Sequence, residues 1–179
     1  MKASPFPDLS MSMPLNLHFE NLLASHLDEL AGVLLHPAVY LHIEEKPPSL
    51  SEFKLGLERA IAGPGEDVKG ELWLNYLVRD EAGSMLGRLE ATVHHQLAEV
   101  AFLFGPQYWG RGHAATGLLW LHEELERGFA VTEFWATTTP ENDRSQALLR
   151  RCGYIGSELP ACPLYSFAPG DLIFQRSSN

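Results

Sequence analysis

Glycines at 110 and 112, with Arg111 between them and alanines at 114 and 115, form a spacing that can hold an anion. The run from Val100 to Ala115 reads as an apolar strand, a Gly105-Pro106 turn, a glycine-spaced loop and the start of a helix. Glycine lets the backbone come close to a ligand. The first amides of a helix lack internal partners, and the helix dipole favours negative charge there. A phosphate-bearing ligand suits such a junction. Two parsings compete. Gly110-x-Gly112-x-x-Ala115 fits the loose dinucleotide fingerprint, with Glu133 about 20 residues further on as a ribose-binding acid. Order speaks against it: about 100 residues of helices and antiparallel strands come first, and too little chain follows for repeated βαβ units. An NAD(P)-binding oxidoreductase is thus a distant alternative, and the lack of G-K-[ST] excludes a P-loop. The second parsing is Gln107-x-x-Gly110-x-Gly112, followed by Ala114.

The elements that must position this loop follow from periodicity and punctuation. The first 14 residues, with Pro5, Pro7 and Pro14, read as a loose tail, and residues 15–176 as a single domain. Leu15 to Phe19 alternates as a short strand; Leu22 to Leu35 has helical spacing and ends before Pro37. A cap at Ser49-x-Ser51-Glu52 starts a second helix, which runs to about Ala62 and stops at Gly63-Pro64-Gly65. Glu71–Arg79, Met85–His94 and Glu99–Phe104 form an antiparallel meander. His113–Arg127 is a helix with Leu118, Leu121 and Leu125 on one stripe and Gly128 as its C-cap. Val131–Thr138 is a strand, Asn142 caps a further helix closed by Gly153, and Leu164–Arg176 adds one or two strands. The expected fold is a mixed α/β layer architecture with no internal repeat or linker to divide it.

Composition limits the partners. With 13 basic against 23 acidic residues the formal charge is −10, which excludes a nucleic-acid surface and suits cationic substrates such as amines. No apolar run is long enough to span a membrane. Two cysteines in 179 residues fit a reducing, cytoplasmic setting, with Cys152 as a small buried hydrophobe. No metal is expected. His94 and His95 are adjacent on a strand and so face opposite ways, and His122-Glu123-Glu124 lacks the second histidine of H-E-x-x-H. Trp73, Tyr76, Trp109, Trp120 and Trp135 read as core residues or ligand walls.

The second parsing carries a resemblance. Tyr108-Trp109-Gly110-Arg111-Gly112-His113-Ala114 resembles the Tyr-Trp-Gly-Lys-Gly-x-Ala string found in the GCN5-related N-acetyltransferase superfamily, in the branch of the ribosomal-protein alanine acetyltransferases. Asn142-x-x-Ser145-x-x-Leu148-Leu149-x-x-x-Gly153-Tyr154 is similar to that family's later segment, and Leu34 to Val39 to its Leu-x-Asp-Pro-x-Val.

The resemblance implies an acetyl-CoA-dependent N-acetyltransferase of mixed α/β fold, with a central, mostly antiparallel sheet that splays in the middle and helices on both faces. Its acceptor would be a primary amine, on a protein N-terminus or a small molecule. Backbone amides of Gln107, Gly110, Arg111, Gly112, His113 and Ala114 would hold the CoA diphosphate, with Arg111 adding charge. The pantetheine arm would bond backbone groups of Leu103 and Phe104, and Asn142 would hold its side. Ser145 would protonate the leaving thiolate, and Glu99, where that branch often places an acid, would be the base. Glu90 and His94 are further candidates for substrate contact, and Tyr154 is expected to pack beside the cofactor. Residues 36–56 and 155–170 would line the acceptor pocket. A non-catalytic acyl-CoA sensor is the alternative from another class. The sequence specifies neither the acceptor nor the oligomeric state, and leaves a homodimer open.

Overall fold

The computed structural model describes residues 15–43, 46–66 and 68–178; the expected tail, residues 1–14, lies outside them. In chain order the elements are β1 (His18–Asn21), α1 (Leu27–Leu34), α2 (Pro37–Tyr40), α3 (Leu50–Ala62), β2 (Leu72–Arg79), β3 (Met85–His94), β4 (Leu97–Phe104), α4 (His113–Phe129), β5 (Glu133–Thr138), α5 (Asp143–Arg151), β6 (Ile155–Gly156) and β7 (Leu172–Ser177). The strands form one sheet in the order β1-β2-β3-β4-β5-β7-β6, antiparallel throughout except for β4 and β5.

That parallel pair is short. Leu97, Ala98 and Glu99 pair with Glu133, Phe134 and Trp135, and the register then stops although both strands continue. From Val100 onward the two strands part. Gly87 on β3 helps to explain how. A Cβ there would overlap the Leu103 carbonyl oxygen and meet Phe104 Cα at 2.7 Å, so only glycine lets the end of β4 lean so closely onto β3.

Alternation along the strands puts a core on each face. One joins Leu86, Leu89, Val100 and Phe104 of the sheet to Leu118, Leu121 and Leu125 of α4 and Leu149 of α5. The other joins Leu77 and Met85 to Leu30 and Leu34 of α1 and Phe53 and Leu57 of α3. A smaller cluster of Leu97, Trp135 and Leu164 sits beside β7. Among the described residues no helix is long and apolar enough to cross a membrane.

Several boundaries differ from expectation for local reasons. The helix expected over 22–35 begins as a 3-10 turn at Ala24–His26, and the chain forms the four-residue α2 starting at Pro37, which suits a first helical position. Helix α4 passes through Gly128 and ends at Ala130, which takes the left-handed cap at φ 52°. The expected cap at Ser49 is present: its hydroxyl accepts from the Glu52 amide, and Glu52 accepts from the Ser49 amide. His94 and His95 do not stay in register on one strand. His95 and Gln96 form the β3–β4 turn with positive φ at both, which brings the two Nδ1 atoms to 3.1 Å.

Candidate active site

Where β4 and β5 part, a cavity of about 680 Å³ runs from the N-terminus of α4 through the gap to the opposite face of the sheet. Its first end is made of backbone. Gly110 and Gly112 adopt positive φ (73° and 84°), which turns the loop into the first turn of α4. Gly112 occupies the N-cap position and supplies no side chain to cap the helix. Among the described residues, no protein acceptor takes a hydrogen bond from the amides of Gly110 through Ala115, whereas the Thr116 amide already bonds to the Gly112 carbonyl. These free donors stand where the helix dipole is positive, which is the chemistry an anionic phosphate needs.

Side chains complete that end. The Arg144 guanidinium lies 3.6 Å over the Trp109 ring, and Arg151 lines the same cavity. The Trp109 indole donates to the Phe104 carbonyl at 2.8 Å, which fixes the loop against the end of β4. His113 also lines the cavity. Burial lowers its pKa, with Arg111 adding to the effect, and its Nδ1 is buried without a partner.

The structure brings Leu103, Phe104, Gly110, Gly112, His113, Ala114, Asn142 and Ser145 to this one cavity. Asn142 caps α5 by accepting from the Ser145 amide at 3.1 Å, which leaves the Ser145 hydroxyl on the cavity wall. Gln107 and Arg111 do not line it. The Gln107 side chain folds back against Gly105, and Arg111 is exposed. Both carbonyls at the end of β4 have other neighbours: Phe104 accepts from Trp109, and Leu103 lies against Gly87. Tyr154 is not beside the cavity. It is buried in the core below α4, where its hydroxyl meets His122 Nε2 at 2.8 Å while Arg176 faces His122 Nδ1. Burial, with Arg176 adding to it, pushes His122 down to about 3.

Glu99 takes a place the sequence did not suggest. Its Oε1 accepts from the Tyr165 amide at 2.8 Å and lies 2.7 Å from His94 Nε2. Its Oε2 accepts from the Ser166 amide at 2.8 Å and the Ser166 hydroxyl at 2.6 Å. A carboxylate offers about four lone-pair sites, and here all four are engaged. On the other side, the Thr137 hydroxyl of β5 donates to the Ser166 carbonyl at 2.9 Å. Ser166 is therefore a wedge at the crotch of the two strands, tied by Glu99 to one arm and by Thr137 to the other.

Glu90 and Asp171 also line the cavity, as do Ala38, Val39, His42 and Ile43; Glu90 is paired with Arg88, and Asp171 accepts from the Ala168 amide at 3.0 Å. Of the ranges 36–56 and 155–170 expected to line an acceptor pocket, Ala38, Val39, His42, Ile43, Ser166 and Ala168 lie on this cavity, and Asp171 lies just past the second range. Sequence reasoning missed Arg144, Asp171 and the wedge. Their elements were legible, but nothing in the spacing announced which side chains would converge.

A gap between β4 and β5 beside a glycine-built anion cradle at a helix N-terminus suits a phosphate-bearing ligand with an extended arm, and comparison gives the class. Residues 16–155 match the model of the acetyltransferase (GNAT) domain, and the chain belongs to that family, as an N-acetyltransferase. No curated protein matches the sequence. Among solved structures, the chain is similar to RimL, a ribosomal-protein alpha-N-acetyltransferase in complex with coenzyme A (17% identity, 92% of this chain and 96% of that one covered, TM-score 0.72). It is also similar to a spermidine N-acetyltransferase from Vibrio cholerae in complex with CoA and spermine (16% identity, 89% and 92% covered, TM-score 0.67). A GNAT-family acetyltransferase from Bacillus anthracis shares 13% identity over 90% of this chain and 94% of that one, with TM-score 0.71. At these identities the likeness speaks for the fold.

Proposed function

We propose that the protein transfers the acetyl group of acetyl-CoA to a primary amine, on a protein N-terminus or a small molecule, by direct attack on the thioester. One observation carries the reading: β4–β5 pairing ends at Glu99 and Trp135, and the gap beyond leads straight to unpartnered amides at α4. The amides from Gly110 to Ala114 and the Arg144 side chain suit the diphosphate, and the gap suits the pantetheine arm as an added strand. Asn142 flanks that arm.

Acetyl-CoA supplies an activated carbonyl, so the protein's task is to align, to stabilise charge and to move protons. A backbone N–H near Phe104 serves the developing oxyanion. The new C–N bond forms as the C–S bond breaks; the amine gives its proton to solvent water, and Ser145 gives its hydroxyl proton to the departing sulfur and regains one from water. Glu99, with its lone pairs engaged, supports this chemistry by holding the wall at Ser166 instead of receiving the proton itself. The unpaired thiols Cys152 and Cys162 suit a reducing cytoplasm; burial raises the Cys152 pKa, as befits a packed hydrophobe.

Calorimetry with CoA and with NADP, followed by transfer of labelled acetyl to a panel of amines, tests the reading. Micromolar CoA binding, no NADP binding and label in an amine product are expected. CoA binding with no transfer to any amine would favour a sensor.

A further inference from the structure

A second cavity, of about 320 Å³, opens on the α3 side of β2, β3 and β4. It meets the first at Glu90, Val100, Ala101 and Ser166, which line both. Only two of these side chains are polar, and the Ser166 hydroxyl is already given to Glu99. Glu90 is different. Its side chain keeps 35% of its surface exposed, and its Oε2 is paired from behind with Arg88, which is only 11% exposed. Burial pushes Arg88 down to about 10, so at neutral pH it still holds Glu90 as a cation would.

The surroundings narrow the ligand. Asn75 stands directly across from Glu90 in the β2–β3 register, and its Oδ1 is buried with no partner among the described residues while its amide nitrogen donates to the Ala60 carbonyl. A carboxylate shared with Arg88 and a spare amide oxygen side by side call for a further donor, and an ammonium supplies several N–H groups that can reach both. At the rim, Trp73 and Tyr165 expose 39% and 54% of their surfaces. Their polar ends are tied back: Trp73 donates to Glu71, the Tyr165 phenol lies against the same carboxylate, and the Tyr165 ring stacks on His94 at 4.5 Å. Two fixed rings beside an acidic floor suit an ammonium carried on apolar carbon.

We infer that Glu90 is the acceptor-binding residue, and that the acceptor arrives through the second cavity as a primary ammonium on an apolar or aromatic group. The inference deepens the proposed acetyl transfer and rests on it, because the thioester then reaches the same junction from the cofactor side. Glu90 is a binding group here, with Arg88 as its positioning residue.

The test is calorimetry on CoA-saturated protein with two probes of similar size, phenethylamine (an ammonium at neutral pH) and the uncharged 3-phenylpropan-1-ol. Wild type should bind the amine at least about tenfold more tightly than the alcohol. Glu90→Gln should erase that preference, and Trp73→Ala should weaken both probes to a similar degree. Both variants should bind CoA within about twofold of wild type. Equal affinity for the two probes, no binding of either, or full amine affinity in Glu90→Gln overturns the inference. Failure of wild type to bind CoA at all would instead overturn the proposed function beneath it.

Discussion

The two ends of the main cavity are made by different means. At the cofactor end, one continuous stretch from Val100 to Ala115 does nearly everything: strand, turn, two left-handed glycines and a helix whose first amides are left free. At the proposed acceptor end the wall is assembled from β3, α2 and Ser166, Ala168 and Asp171, brought together from across the chain. In the proposed roles, backbone meets the part of the ligand that never changes. Side chains on separate elements face the part that can vary, and a cofactor grip built this way is insulated from changes in acceptor.

The largest expected effect strikes the first end. Gly112→Glu forces a β-carbon into φ 84° and sets a carboxylate beside the free amides. CoA affinity should fall by about a hundredfold or more, with the circular dichroism spectrum unchanged. Micromolar CoA binding in that variant would falsify the cradle. Glu99→Gln attacks the other end. It places an N–H against donors at Tyr165 or Ser166, so turnover should drop by about tenfold while CoA affinity stays within about twofold. The pH–rate profile separates clamp from base: an unaltered profile fits the clamp, and loss of its acidic limb would return Glu99 to the proton-accepting role.

Ser145→Ala should act more gently, lowering kcat by about three- to tenfold, because a thiolate leaves with modest help. A KM effect for the amine with no change in kcat would remove Ser145 from thiol protonation. The smallest effect belongs to neither end. His122 titrates near 6.5 when unfolded and near 3 when folded, so the unfolded chain binds the extra proton between those values. Its contribution is complete above pH 6.5 and is lost as pH falls toward 3, by at most about 1.4 kcal/mol per pH unit. Thermal melts of His122→Gln should show a shallower loss of stability than wild type across that window.

This division also explains what could be read from the sequence. The glycine spacing, the Asn142 cap and the leucine stripe of α4 are local signals, and each appears where spacing put it. The contact of Glu99 with residues 66 and 67 positions away has no local signal, since hydrogen-bonding partners across such distances depend on the finished fold. Gly87 did leave a trace, as a glycine inside a strand; such a residue marks a close backbone approach. Helix ends shifted by one or two residues where Ala130 accepted a left-handed conformation that glycine was expected to take.

Chain order gives the wedge one more meaning. Every residue of the anion cradle has been synthesised by position 145, whereas Ser166 arrives some twenty residues later. A nascent polypeptide halted between them would carry every residue of the proposed nucleotide socket but no spacer for the fork in the sheet. β7, which flanks β5, is made later still, so the fork is completed only by the last part of the described chain.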